Sequence, residues 1–189
     1  MANEKMYITG GIGGTQIGEA FSYPYDLPND TAYAETCASI GLVFFARRML
    51  EIKPDAKYAN VMERALYNGI LSGMALDGKS FFYVNPLEVW PPACMEGTSK
   101  KHVKPIRQKW FGVACCPPNI ARTLASLGQY VYSQKPEKKE LYVNLFVSNE
   151  TELDWNKDKI FVKLQTEFTW VNTYSLEAKN VPADGMDLM

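Results

Sequence analysis

The hydrophobic period of this chain changes once, near residues 135–140, and that single change limits the folds open to it. Before it, Ile40, Val43, Phe44 and Met49 recur at helical spacing, which predicts a helix from about Thr36 to Leu50. Arg47 and Arg48 lie toward its C-terminal end, where cations suit the helix dipole, and Pro54 stops it. A second helix is predicted from about Lys57 to Ser72, closed by Gly73, and a third from near Pro118 to about Ser133. After Lys135-Pro-Glu-Lys-Lys-Glu140 the pattern turns β-branched and aromatic. Leu141–Val147 and Lys159–Gln165 read as strands. The expected class is therefore mainly α with a C-terminal β segment.

Between the second and third helices, residues 77–116 form a long irregular stretch punctuated by Pro86, Pro91, Pro92 and Pro105. A loop of that length in a compact domain is usually functional. The opening Thr9-Gly-Gly-Ile-Gly-Gly14 is also irregular. No strand precedes it and no Lys-Ser/Thr follows, so backbone freedom beside a pocket is a better reading than a phosphate cradle.

The formal net charge of −1 offers no basic field for nucleic acid or acidic lipid. No stretch approaches the roughly 18 to 20 consecutive apolar residues of a membrane span. The first residues lack the charged-then-apolar pattern of a signal peptide, so a cytoplasmic location is the expectation. Eleven Tyr, nine Phe and four Trp serve a core first, but such rings also stack on sugars.

The four cysteines, Cys37, Cys94, Cys115 and Cys116, are too sparse for a disulfide scaffold, and reduced thiols with a metal or catalytic task fit better. Cys115 and Cys116 precede Pro117-Pro118, which suggests an extended path into a helix N-terminus, where the dipole favours thiolate. Glu35 and Cys37 would diverge by roughly 200° on one helix, so they can share an ion only if the helix begins near Thr36 or later. The alternative is that Cys37 packs in the core while Glu35 faces water. Three thiols and a carboxylate make a tetrahedral zinc set, but the CxxC of structural zinc sites is absent.

Ala34-Glu-Thr-Cys-Ala-Ser-Ile-Gly41 and Val113-Ala-Cys-Cys-Pro-Pro-Asn-Ile-Ala-Arg122 resemble glycoside hydrolase family 127, the β-L-arabinofuranosidase family. Thr9–Gly14 and Glu63-Arg-Ala-Leu-Tyr-Asn-Gly69 add to the match, which runs from about Tyr7 to Val147. The resemblance implies a retaining glycosidase in which zinc-bound Cys115 is the nucleophile. Glu35, Cys37 and Cys116 would complete the zinc shell, Glu19 would be the acid/base, and Tyr83 would touch the sugar. It also implies that 1–138 is part of an (α/α)6 barrel and that 139–189 begins a β-sandwich. The substrate would be an arabinofuranoside from oligosaccharide or glycoprotein, with no nucleic-acid or membrane partner, and a homodimer of the full-length parent stays open. A part-barrel is expected to be poorly stable and inactive by itself. Glu63 lies either at the pocket or on a solvated helix face. The family lines its sugar pocket with histidines, whereas this chain has only His102, in the basic run Lys100-Lys-His-Val-Lys104, where solvation is expected. The competing reading is a structural zinc module or a non-catalytic sugar-binding remnant.

Overall fold

The computed structural model describes residues 2–168 and 170–189. Helix α1 spans Thr36–Ile52, entered from Glu35 in an extended conformation (φ −62°, ψ 139°). Ile40, Val43 and Leu50 sit on its buried face, which explains why its period was legible. Lys53 returns to extended backbone ahead of Pro54, and Asp55 then caps α2 (Ala56–Ala65), its Oδ1 accepting from the Lys57 N–H at 3.1 Å. Helical winding continues past α2 as a π turn, Leu66–Ile70, and a 3-10 turn, Leu71–Gly73.

The glycine-rich opening packs against this composite helix. A Cβ on Gly10 would stand 2.7 Å from the Ala65 nitrogen, and Gly10 has φ +86°. Only glycine lets the loop come so close in that conformation. At Gly69 a Cβ would meet Ser39 Oγ at 2.6 Å, so the π turn also lies directly on α1.

The third predicted helix is corrected. It divides into α3 (Cys116–Ala125) and a single turn α4 (Gly128–Val131), and the chain is already in strand β1 at Tyr132–Lys135. Ser126 leaves helical geometry (φ −104°, ψ 6°) while its hydroxyl donates to the carbonyl oxygens of Arg122 and Thr123, closing the last turn of α3. The path into α3 also differs from the extended one expected. Cys115 has φ −97° and ψ −72°, and Cys116 is already helical before Pro117.

Strand β2 (Glu140–Val143) is shorter than the Leu141–Val147 expected and pairs antiparallel with β1, Tyr132 opposite Val143. A short strand β6 (Asp187–Leu188) adds to β2 in parallel. A second sheet is a meander of β3 (Asn149–Trp155), β4 (Asp158–Thr166) and β5 (Tyr174–Lys179). Buried Ile160, Val162 and Leu164 alternate along β4. Leu141 from the first sheet shares one apolar cluster with Trp155, Ile160 and Val162 from the second. A larger cluster joins α1, α2, the π turn and α3 through Ile40, Leu66, Ile70 and Ile120. Among the described residues no helix is long and apolar enough to cross a membrane.

Candidate metal centre and active site

Two helix N-termini meet at one point. Helix α1 begins between Glu35 and Cys37, and α3 begins between Cys115 and Cys116. Each helix start thus separates a pair that regular geometry would have sent in different directions. Residues 81–85 strap the first of these starts. The Thr36 N–H donates to the Tyr83 carbonyl at 2.9 Å, and Thr36 Oγ1 donates to the Phe82 carbonyl at 2.9 Å. Asn85 Nδ2 donates to the Ala34 carbonyl at 3.2 Å and to Thr36 Oγ1 at 3.0 Å. These bonds fix the backbone on both sides of Glu35.

Cys37 Sγ lies 3.2 Å from Cys115 Sγ and 3.4 Å from Cys116 Sγ. Glu35 Oε1 is 3.5 Å from Cys115 Sγ and 3.7 Å from Cys116 Sγ. All four ligand atoms lie within 4.8 Å of one another. A tetrahedral zinc ion with Zn–S near 2.3 Å would set its sulfurs about 3.8 Å apart, a little wider than the separations here, so the donor set fits such an ion in chemistry and needs only a small opening to fit it in spacing. Cys94 stays outside the group, its thiol 3.4 Å from the Trp90 carbonyl.

Glu35 is buried, and Cys116 is fully buried at the foot of α3. Cys115, one residue earlier, is only half-buried. Burial pushes the Cys37 thiol up to about 11 despite a hydrogen bond from Asn119 that favours the thiolate. It pushes Cys116 further the same way, helped by Cys37 and Glu35. At both positions burial thus works against the thiolate.

Tyr83 packs against the same core cluster as Cys37 and Cys115. Its ring centroid is 5.4 Å from Phe111 and 6.5 Å from Tyr33. Burial raises its hydroxyl well above the ordinary phenol range, and so does its hydrogen bond with Cys115. Glu19 lies on an exposed turn at φ +49°, and its Oε1 accepts a hydrogen bond from Tyr33 Oη at 2.9 Å. Tyr33 and Asn119 were not singled out from the sequence. Asn119 stands three residues after Cys116, one helical turn inward, which is a usable signal.

His102 is not solvated as its basic run suggested. Its ring nitrogens are shielded from water, and its ring centroid is 6.0 Å from Tyr33. Burial depresses its pKa, against the pull of backbone groups at Ala32, Thr31 and Ser99. The cause is local: Val103 is buried beside Tyr33 and Val84, and the Lys100–Asp30 ion pair holds the preceding residues down. Glu63 is half-buried on α2 and lines a cavity of about 440 Å³ with Tyr142, Asn144 and Phe146. Burial alone raises its carboxyl.

A strapped carboxylate and three converging thiols, in a chain of helices followed by a β tail, define a chain with the makings of a thiolate metal centre. The family model for the GH127 catalytic domain of β-L-arabinofuranosidases matches residues 1–129. A non-reducing end β-L-arabinofuranosidase from Bifidobacterium longum subsp. longum is 42% identical over 170 residues, covering 90% of this chain and 25% of that protein. A crystal structure of a GH127 β-L-arabinofuranosidase from Geobacillus stearothermophilus T6 aligns with TM-score 0.86 and 56% identity, over 93% of this chain and 27% of that one. A further solved glycoside hydrolase aligns with TM-score 0.85 and 33% identity, over 98% of this chain and 33% of that one. The chain belongs to the GH127 β-L-arabinofuranosidase family. It spans about a quarter of the length of the Bifidobacterium and Geobacillus relatives.

Proposed function

We propose that the chain carries the catalytic centre of a retaining β-L-arabinofuranosidase, with Cys115 as nucleophile, Glu19 as acid/base and zinc held by Glu35, Cys37, Cys115 and Cys116. The observation that carries this reading is the convergence of three sulfurs and one carboxylate within 4.8 Å. Within this proposal the helices form part of an (α/α)6 barrel over 1–138, and 139–189 begins a β-sandwich. The substrate is an arabinofuranoside from oligosaccharide or glycoprotein.

In the first step Cys115 Sγ attacks the anomeric carbon and the glycosidic C–O bond breaks. The Glu19 carboxyl gives its proton to the departing oxygen. In the second step the Glu19 carboxylate takes a proton from water, the water oxygen attacks the same carbon, and the C–S bond breaks. Two inversions give retention. When bound, zinc would supply Lewis-acid stabilisation of sulfur as thiolate, both for attack and for departure. Tyr83, whose hydroxyl meets Cys115, would orient the sugar over that sulfur. The half-exposure of Cys115 favours this reading over a structural zinc staple, because structural sites are closed and Cys116 alone would meet that need.

The test uses a family-length enzyme carrying this chain. Glu19→Ala should slow alkyl arabinofuranosides far more than nitrophenyl ones, since only the poor leaving groups need the proton, and should let a glycosyl adduct accumulate on Cys115 in intact mass spectra. Cys115→Ser should abolish turnover of both, with zinc content measured in parallel. Equal slowing of both substrate types by Glu19→Ala, with no adduct, would remove Glu19 from the role.

A further inference from the structure

Tyr33 is a buried residue whose hydroxyl reaches out to an exposed carboxylate. The ring is only 8% exposed and packs with Val84 and Val103, while Oη donates to Glu19 Oε1 at 2.9 Å. Glu19 has little else to hold it. It ends a three-residue 3-10 turn, is exposed, and sits at φ +49°, where a non-glycine side chain is uncommon. A glutamate there would sample several rotamers, and a proton donor that wanders by 1 Å loses much of its effect. Tyr33 also stands two residues before Glu35, across Ala34 at φ +36°, and its phenol lies in the field of both Glu35 and Cys116. One side chain thus touches the exposed carboxylate from the edge of the thiol cluster.

Building on the assignment of Glu19 as acid/base, we propose that Tyr33 is a positioning residue: its hydroxyl holds Glu19 Oε1 so that Oε2 is the oxygen that carries the proton to the leaving group and takes it back from water. Oε1 accepts this bond in both states of the carboxyl, as a carboxylate oxygen or as the carbonyl oxygen of the acid. The strut therefore survives the whole cycle. Tyr33 itself moves no proton. The neutral His102 ring backs the phenol on another side.

Tyr33→Phe keeps the packed ring and deletes only the donor. In the family-length enzyme it should lower kcat on an alkyl β-L-arabinofuranoside by roughly 10- to 100-fold, the range expected for losing one hydrogen bond to a charged group. KM, zinc content and Tm should change little, and the nitrophenyl substrate should be nearly unaffected in its first step. The decisive readout is the double variant. In a Glu19→Ala background, Tyr33→Phe should cost nothing further, because the residue it positions is gone. Multiplicative losses in the double variant, or equal first-step losses on both substrates, would show a general structural role and overturn the proposal. So would unchanged kcat in Tyr33→Phe while Glu19→Ala is damaging, and that outcome leaves the acid/base assignment standing. A harmless Glu19→Ala would instead retire the acid/base assignment and the strut together.

Discussion

Zinc affinity of this chain should climb steeply with pH, and the slope follows from the buried thiols. Cys37 is pushed up to about 11, chiefly by burial, and Cys116 is driven higher still by burial and by Cys37. Both carry protons at neutral pH when no metal is present, whereas zinc binds thiolates and must displace those protons. Each displaced proton changes Kd tenfold per pH unit, so the two from Cys37 and Cys116 give at least about 100-fold per unit and at least about 1,000-fold between roughly pH 6.5 and 8.0. Competition against a chromogenic zinc chelator, with a phosphine reductant present, reads this directly. A slope of log Kd against pH below one proton per unit would refute the assignment of Cys37 and Cys116 as ligands.

The same thiols set the sign of the metal-free stability. A group whose folded pKa is raised contributes stability that is complete below its unfolded value, about 8.5 for cysteine, and lost as pH rises through the folded one. Without metal, Tm should therefore fall from about pH 8.5 toward 11, the value to which Cys37 is pushed. With zinc the trend should reverse across neutral pH. At free zinc 100 times Kd the gain is about 2.7 kcal/mol, or roughly 5 to 10 °C for a chain of this size. Identical Tm profiles with zinc and with chelator would sink the metal centre outright.

Two further substitutions probe the frame. Gly69→Ala places a Cβ 2.6 Å from Ser39 Oγ and 3.0 Å from its Cβ, so the π turn must back away from α1. The expected loss is about 1 to 3 kcal/mol in a urea melt. Asn85→Ala removes the donor that ties the Ala34 carbonyl to Thr36 Oγ1 on either side of Glu35, and zinc affinity should fall about 10- to 100-fold with the fold intact by circular dichroism.

The helices were legible where one face is buried. Ile40 and Val43 gave away α1 because burial imposes the period that the sequence displays. The third helix was overextended because Tyr130 and Val131, both buried, continue an apolar pattern after the helix has closed at Ser126. Ser126 and Gly128 were the available stop signals. Strands β3 and β5 were missed for the opposite reason. Asn-Glu-Thr-Glu-Leu-Asp-Trp buries only Trp155, and β5 buries none of its residues fully. They are strands because β4, between them, supplies hydrogen bonds to both; the alternation of Thr151, Leu153 and Trp155 with Glu150, Glu152 and Asp154 was the available signal, but it carries little apolar weight.

The site was legible as chemistry and obscure as geometry. Residue type drew attention to Cys115 and Cys116, and the family resemblance added Glu35 and Cys37, whose spacing kept them from meeting if both lay on a helix. The structure resolves this by starting α1 at Thr36, so that Glu35 leaves from extended backbone while Cys37 leaves from the first turn. Cys115 and Cys116 divide in the same way across the start of α3. Such a junction offers two directions per pair, and four ligand atoms can then close on one point from only two segments. The cost lies in burial, which raises Cys37 against the pull of Asn119 and raises Cys116 further. A site of this kind reaches its thiolate form only when a cation replaces the protons. In the proposed reaction that replacement would tie the state of the Cys37 and Cys116 sulfurs around Cys115 to metal loading.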